Sequence, residues 1–170
     1  MKPERDPVSN LFKRAYAFAK LEQLLADAKT TGDIGVIILT DFDRYKRFND
    51  SYGHDNGDIL LQAISETVLE IVGDKGIASR AGGDEFLIIL PSASPDEALS
   101  VAERIRSQTE QLKVDIVGQL VASVTMTLGL AFYPQHGDDM NTLLRAADEA
   151  VWYGKEAKGN RVCVAKQGAT

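Results

Sequence analysis

The sequence predicts an α+β fold: a ferredoxin-like βαββαβ core with an extra N-terminal helix and a C-terminal helix and strand. Three observations predict it. Short apolar runs and helical apolar spacings follow one another in the order helix, β-α-β-β-α-β, helix, strand. Two of the strands are separated by five residues, Ala81 to Glu85, two of them glycine, which reads as a β-hairpin. The chain has 170 residues, 44% hydrophobic and 26% charged, enough for one domain with its own core. One antiparallel sheet covered by helices on one face is the expected arrangement.

The elements follow in order. Leu21, Leu24, Leu25 and Ala28 recur at helical spacing and define a first helix over about Leu11 to Ala28. Ile34 to Leu39 is an Ile- and Val-rich run that suits a buried strand. The polar segment Thr40 to Gly57 follows, with Asp41, Asp43, Asn49, Asp50, His54 and Asp55. Leu60, Ile64, Val68 and Ile71 mark a second helix, begun by Asp58 and ended near Gly73. Ile77 to Arg80 and Phe86 to Leu90 are the hairpin strands, and Pro91 to Pro95 a loop. Ala98, Val101, Ala102 and Ile105 define a third helix. Val121 to Phe132 alternates with period two and reads as a long strand. Leu143, Leu144, Ala147 and Val151 define the last helix, where Trp152 and Tyr153 are expected to pack in the core. Arg161 to Ala165 closes the chain as a strand.

Charge and cysteine content narrow the function. The formal charge is -6 and the isoelectric point near 4.9, which argues against nucleic-acid or anionic-membrane binding. A small phosphorylated ligand stays compatible, because it needs only a local positive site or a bound cation. Cys163 is the sole cysteine, so no internal disulfide is possible. It reads as a small apolar residue in the terminal strand. With no apolar stretch of bilayer length and no signal peptide, a cytoplasmic domain is expected. The chain reads as a single unit, core about 6–165, from a longer multidomain protein.

Acidic residues carry the chemistry. Asp41 and Asp43 end the first buried strand, and Asp84 and Glu85 sit on the hairpin tip after Gly82 and Gly83. In this topology those two places are neighbours. Converging carboxylates repel unless a cation or proton lies between them. Hard oxygens suit magnesium, which binds through one or two carboxylates plus substrate phosphates. Glycine at the tip allows positive φ and close approach of a ligand to backbone. Taken alone, Gly-Gly-Asp is ordinary turn chemistry and Asp41 an ordinary strand-end residue.

Together these residues carry a resemblance. RAGGDEFLIIL, Arg80 to Leu90, contains the GGDEF signature, and DFDRYKRFNDSYGHDNGD, Asp41 to Asp58, resembles the DxDxFKxxNDxxGHxxGD block of the GGDEF diguanylate cyclase family. DPVSNLFKR is similar to that family's DPLTGLxNR segment and GKEAKGNRV to its AKxxGRNRV segment. The resemblance spans about Asp6 to Val164 and implies a nucleotidyl-cyclase-like fold. It implies Mg2+ (or Mn2+) held by Asp41, the Phe42 carbonyl and Asp84, with Asp84, Glu85 and Asp41 catalytic. Asn49 and Asp58 would read guanine, and Lys46 and Lys155 would hold phosphates. Gly82 and Gly83 would border the substrate, and the backbone from Phe42 to Tyr45 would wrap the triphosphate at the start of a short helix. The activity implied is condensation of two GTP into cyclic di-GMP and two pyrophosphates. It needs a second GGDEF domain, since each domain carries one GTP.

Other residues have plainer readings. His54 is expected to be structural in its turn, and Arg80 to contact an acidic group near the hairpin. Asp43 either holds the loop or touches metal. Three departures from the family pattern stand out. The positions of the inhibitory RxxD motif hold Gly73 and Gly76, the arginine of the GRN segment is Gly159, and Asn10 with Phe12-Lys13 replaces the usual entry residues. Lys158 or Arg161 could replace the lost arginine. A GTP-binding regulatory module that controls a fused domain, such as an EAL phosphodiesterase, is the second reading. A single-nucleotide cyclase is a distant third, because Asn49 and Asp58 both suit guanine.

Overall fold

The computed structural model describes residues 2–167. A six-stranded sheet forms its centre, in the order β1 (Phe12–Lys13), β3 (Ile77–Gly82), β4 (Glu85–Pro91), β2 (Gly35–Phe42), β7 (Met126–Tyr133) and β8 (Arg161–Val164). The core strands are β2 (Gly35–Phe42), β3 (Ile77–Gly82), β4 (Glu85–Pro91) and β7 (Met126–Tyr133). With α3 (His54–Val72) and α4 (Pro95–Gln111) they make the ferredoxin-like βαββαβ plan. β2 lies centrally, antiparallel to both β4 and β7. Its run Val36, Ile37 and Ile38 is fully buried, as a strand covered on both faces requires.

Both sheet faces are covered, not one. α3 and α4 pack on the face that presents Val36, Ile38, Phe86, Ile88, Leu128 and Leu130. α1 (Arg14–Thr31) and α5 (Met140–Glu156) cover the face that presents Ile37, Leu87, Ile89, Ala131 and Tyr133. The terminal helices are thus the second layer of the fold. This explains why β7 is buried at all eight positions although its sequence alternates, its small residues Gly129 and Ala131 facing a helix. The sheet is also mixed: β1 (Phe12–Lys13) joins β3 and β8 (Arg161–Val164) joins β7 in parallel.

Local differences have local causes. The polar segment 40–57 contains α2 (Tyr45–Tyr52), the short helix that the resemblance implies and that periodicity does not show, because Phe48 is its one buried residue. α3 begins at His54, so Asp58 lies in its second turn. The predicted strand from Val121 is two elements. Val121 belongs to a separate hairpin of β5 (Lys113–Ile116) and β6 (Gln119–Ala122), and β7 starts at Met126. Trp152 and Tyr153 are exposed, 58% and 48%, not core residues. They stack edge-on against each other, and the Lys166 ammonium lies over the Tyr153 ring. Cys163 is a partly buried residue of β8.

Candidate active site

The strand register builds the acidic corner. Asp41 stands opposite Glu85 across the β2–β4 ladder. The Phe42 N–H donates to the Asp84 carbonyl at 3.1 Å. Asp41, Asp84 and Glu85 therefore crowd one end of the sheet. Burial raises the Asp41 carboxyl to about 6, helped by the charges of Asp84 and Glu85 and opposed by Lys155. Burial likewise raises Glu85, with Asp84 and Asp148 adding to the effect. Such a site favours a cation that can neutralise it.

Lys155, from the last turn of α5, provides one. Its Nζ donates to the Phe42 carbonyl at 3.0 Å and to Asp43 Oδ1 at 2.8 Å, and lies 3.5 Å from Asp41 Oδ1. Positive charge is thus drawn to the carbonyl and carboxylates that the sequence assigns to metal, rather than held out over solvent for phosphate. Among the described residues no three His, Cys, Asp or Glu side chains form a ready-made metal cage. Two carboxylates and a carbonyl could hold a hard cation only with further oxygens from water or a phosphate.

Asp43, two residues after Asp41, behaves oppositely. Its carboxylate accepts from the hydroxyls of Thr125 and Thr127, each at 2.7 Å, from the Asn160 N–H at 2.8 Å and from Lys155. Burial works to raise it, but these donors hold it below the usual carboxylate value. Asp43 ties β2 to β7 and to the loop after α5, the loop-holding arrangement. Gly159 fits the same design. Its φ is +68°, and a Cβ there would meet Asp43 at 2.7 Å.

The hairpin tip is braced from the N-terminus. Arg80 donates twice to the Gly83 carbonyl, at 3.2 and 2.8 Å, and pairs with Asp6 at 3.1 Å. The same Asp6 oxygen accepts from the N–H and hydroxyl of Ser9, both at 2.8 Å. The sequence expectation for Arg80 holds, but its carboxylate lies 74 residues away, out of reach of local reading. Gly82 and Gly83 do not adopt positive φ. What they offer is space: a Cβ on Gly83 would meet nothing within 4 Å. The tip can be approached closely from that side.

A second pocket wall comes from α2 and α3. A Cβ on Gly57 would overlap Asn49 Oδ1, so glycine there lets the amide pack against α3. Asn49 Oδ1 is buried without a hydrogen-bond partner. An orphaned buried acceptor is costly unless a ligand supplies a donor. Tyr45, missed by the sequence reading as a side chain, donates its hydroxyl to the Gly57 carbonyl at 2.8 Å. Burial and the charge of Asp58 push its hydroxyl above the ordinary tyrosine value, against the opposing effects of Arg80 and the Asn49 amide. Asp58 and Lys46 are exposed and His54 is an exposed first residue of α3.

Residues 4–161 match the family described as diguanylate cyclase, GGDEF domain. The chain belongs to the GGDEF family. It is 33% identical over 157 residues to diguanylate cyclase DosC of Escherichia coli K12, an alignment covering 92% of this chain and 34% of that protein. It is 33% identical over 158 residues to the response regulator PleD of Caulobacter vibrioides, covering 92% and 35%. The solved GGDEF domain of YfiN (TpbB) from Pseudomonas aeruginosa superposes with a TM-score of 0.90 at 32% identity, covering 96% of this chain and 95% of that one. This GGDEF domain spans about a third of the length of the curated relatives it matches. None of its described helices is long and apolar enough to cross a membrane.

Proposed function

We propose that this GGDEF domain is a diguanylate cyclase that condenses two GTP into cyclic di-GMP, with a second copy carrying the second GTP. The observation that carries the reading is the pairing of the crowded acidic corner with an orphaned buried amide oxygen beside it. Asn49 Oδ1 would accept from the guanine N2 amine, and Asp58 from guanine N1–H and N2–H. Adenine would present an acceptor to Asp58 and leave a carboxylate unpaired.

Asp41, the Phe42 carbonyl and Asp84 would hold Mg2+. The fit is supported by hard oxygen donors, by the reluctance of Asp41 to ionise uncompensated and by the cation that Lys155 already lodges there. A bound magnesium ion would neutralise phosphate charge as pyrophosphate leaves. The remaining steps belong to the chain. Asn49 and Asp58 orient the base, Lys46 and the backbone from Phe42 to Tyr45 hold phosphates, and Asp84 accepts the proton of the attacking 3′-hydroxyl. Glu85, whose carboxyl is raised by burial and by the charges of Asp84 and Asp148, supports that corner. Lys155, which now lies on the Phe42 carbonyl and Asp43, would hold phosphate. Gly73 and Gly76 cannot supply an RxxD contact, and a Cβ on Gly76 would overlap the Ile89 carbonyl. Inhibition of this domain by product through that motif is therefore not expected.

The test is incubation of the purified domain at high concentration with GTP and magnesium, followed by chromatography of the products. Cyclic di-GMP from the wild type and none from Asp84→Ala is the expected result. Magnesium-dependent GTP binding without turnover, also in a forced dimer, would favour the regulatory-module reading instead.

A further inference from the structure

α4 lies on the sheet face opposite α5, yet one of its side chains reaches the loop that follows α5. Arg106 Nη1 donates to Asn160 Oδ1 at 2.8 Å. The same nitrogen donates to Glu110 Oε2 at 2.8 Å, and Asn160 Nδ2 donates to Glu110 Oε1 at 3.1 Å. The three side chains close a ring in which the amide oxygen meets a cation and the amide nitrogen meets a carboxylate. Both ends of the Asn160 amide are fixed in this way. The other side of the guanidinium is forked onto Glu103, and the Arg106 side chain is only 18% exposed. Isolated surface pairs contribute little, whereas forked pairs joined in a network contribute more.

The ring connects inward. Asn160 sits at φ +48°, a left-handed conformation that asparagine tolerates. There its backbone N–H points at Asp43 and donates to Oδ2 at 2.8 Å. The other oxygen of Asp43 accepts from Lys155 Nζ, also at 2.8 Å. Lys155 in turn donates to the Phe42 carbonyl at 3.0 Å, inside the acidic corner. Three contacts of 2.8 Å therefore join Arg106 to Lys155 by way of Asn160 and Asp43. Arg106 and Asn160 are 54 residues apart, so neither the α4 sequence nor the loop sequence shows the link.

We propose that Arg106 is a positioning residue of the acidic corner, holding Lys155 in place through Asn160 and Asp43. The proposal rests on the reading of that corner as the cyclase site. Arg106 itself lies outside the corner. Without it the loop after α5 loses its anchor on α4, Asp43 loses a fixed donor, and Lys155 drifts from Phe42. Small displacements of this kind are costly where reacting groups must be aligned.

Two measurements on the full chain test it together: amide hydrogen-exchange protection by NMR and the kcat for cyclic di-GMP formation. The variants are Arg106→Ala, Asn160→Gly and the two combined. Asn160→Gly removes the amide, suits the positive φ and leaves Arg106 on its glutamates. Glu103→Ala, which spares the contact with Asn160, is the control. Protection at the position 160 amide should fall about tenfold or more in both single variants, while Ile37 and Ile38 of β2 keep theirs. The kcat should fall roughly five- to tenfold in each. The double variant should fall no further than the worse single one, because both break the same path. Arg106→Lys should recover less than about half of the loss, since one ammonium cannot serve Asn160 and both glutamates as a planar fork does. Glu103→Ala should stay near wild type in both readouts. Unchanged protection at position 160 in Arg106→Ala overturns the proposal. So does lost protection with an unchanged kcat, or a double variant whose losses multiply as two independent defects would. If Arg106→Ala also strips protection from β2, it has loosened the whole fold, and Asn160→Gly decides by the same criteria. A wild type that makes no cyclic di-GMP would fail the proposed function and this inference with it, a result read without any variant.

Discussion

Asp41 and Asp43 are two residues apart at the end of one strand, and the fold treats them in opposite ways. Asp43 is saturated by four donors from three other segments and is held below the usual carboxylate value. Asp41 has only Lys155 at 3.5 Å to offset burial and two neighbouring carboxylates, and is pushed up to about 6. Residue type therefore does not identify a working carboxylate here. The balance of donors around it does. A satisfied carboxylate holds structure, whereas an unsatisfied one is poised for a cation or a proton.

The largest effect that would sharpen this contrast is on the acidic corner. Asp84→Ala should lower cyclic di-GMP formation by more than about a hundredfold, since it removes charge stabilisation at the reacting centre. Its melting temperature should hold or rise, because a like charge leaves. Chromatographic product analysis beside a thermal melt reads both. Asp43→Asn should do the reverse first, costing about 2–3 kcal/mol of stability in chemical denaturation as the buried donors lose the charge and one of their two acceptor oxygens to an NH2 group.

The pH dependence separates the two residues further. Asp43 is lowered in the fold, so its contribution is present above the unfolded value near 3.8 and is lost as pH falls through its lower folded value. Asp41 is raised, so stability is greatest below 3.8 and is lost as pH rises through about 6. Denaturation midpoints should therefore fall between about pH 4 and 6 in wild type, and this slope should flatten in Asp41→Asn but persist in Asp43→Asn.

The brace behind the tip comes next. The Arg80–Asp6 pair is only 20% exposed at each side chain, so Arg80→Ala should cost about 1–2 kcal/mol and roughly tenfold in activity through misplacement of Asp84. An unchanged rate with lowered stability would show the brace to be structural only. The smallest effect is at Gly159. Gly159→Ala should cost about 1 kcal/mol from its left-handed backbone and the 2.7 Å approach to Asp43. Gly159→Arg should fail to raise turnover, although it restores the family residue.

Much of this was legible in the sequence. Hydrophobic periodicity and the short Ala81–Glu85 link gave the βαββαβ order, and the GGDEF and Asp41–Asp58 blocks gave the acidic corner. What was not legible depends on contacts distant along the chain. The second helical layer follows from where the terminal helices dock, α2 shows no apolar periodicity because it buries only Phe48 and was implied by the resemblance alone, and the Asp6–Arg80 brace joins residues 74 apart. Trp152 and Tyr153 misled because an aromatic pair beside an apolar helix stripe usually packs inward, and here it faces solvent. The role of Asp43 could not be separated from that of Asp41 until Thr125, Thr127 and Asn160 were placed around it.

One measurement tests the contrast most directly: thermal stability and cyclic di-GMP formation of Asp41→Asn at neutral pH. The account predicts an inactive protein that melts higher than wild type, by about 1–2 kcal/mol once partial exposure is allowed for, because an isosteric amide removes an opposed charge. An Asp41→Asn variant that keeps its turnover, or that is destabilised as Asp43→Asn is, would contradict it.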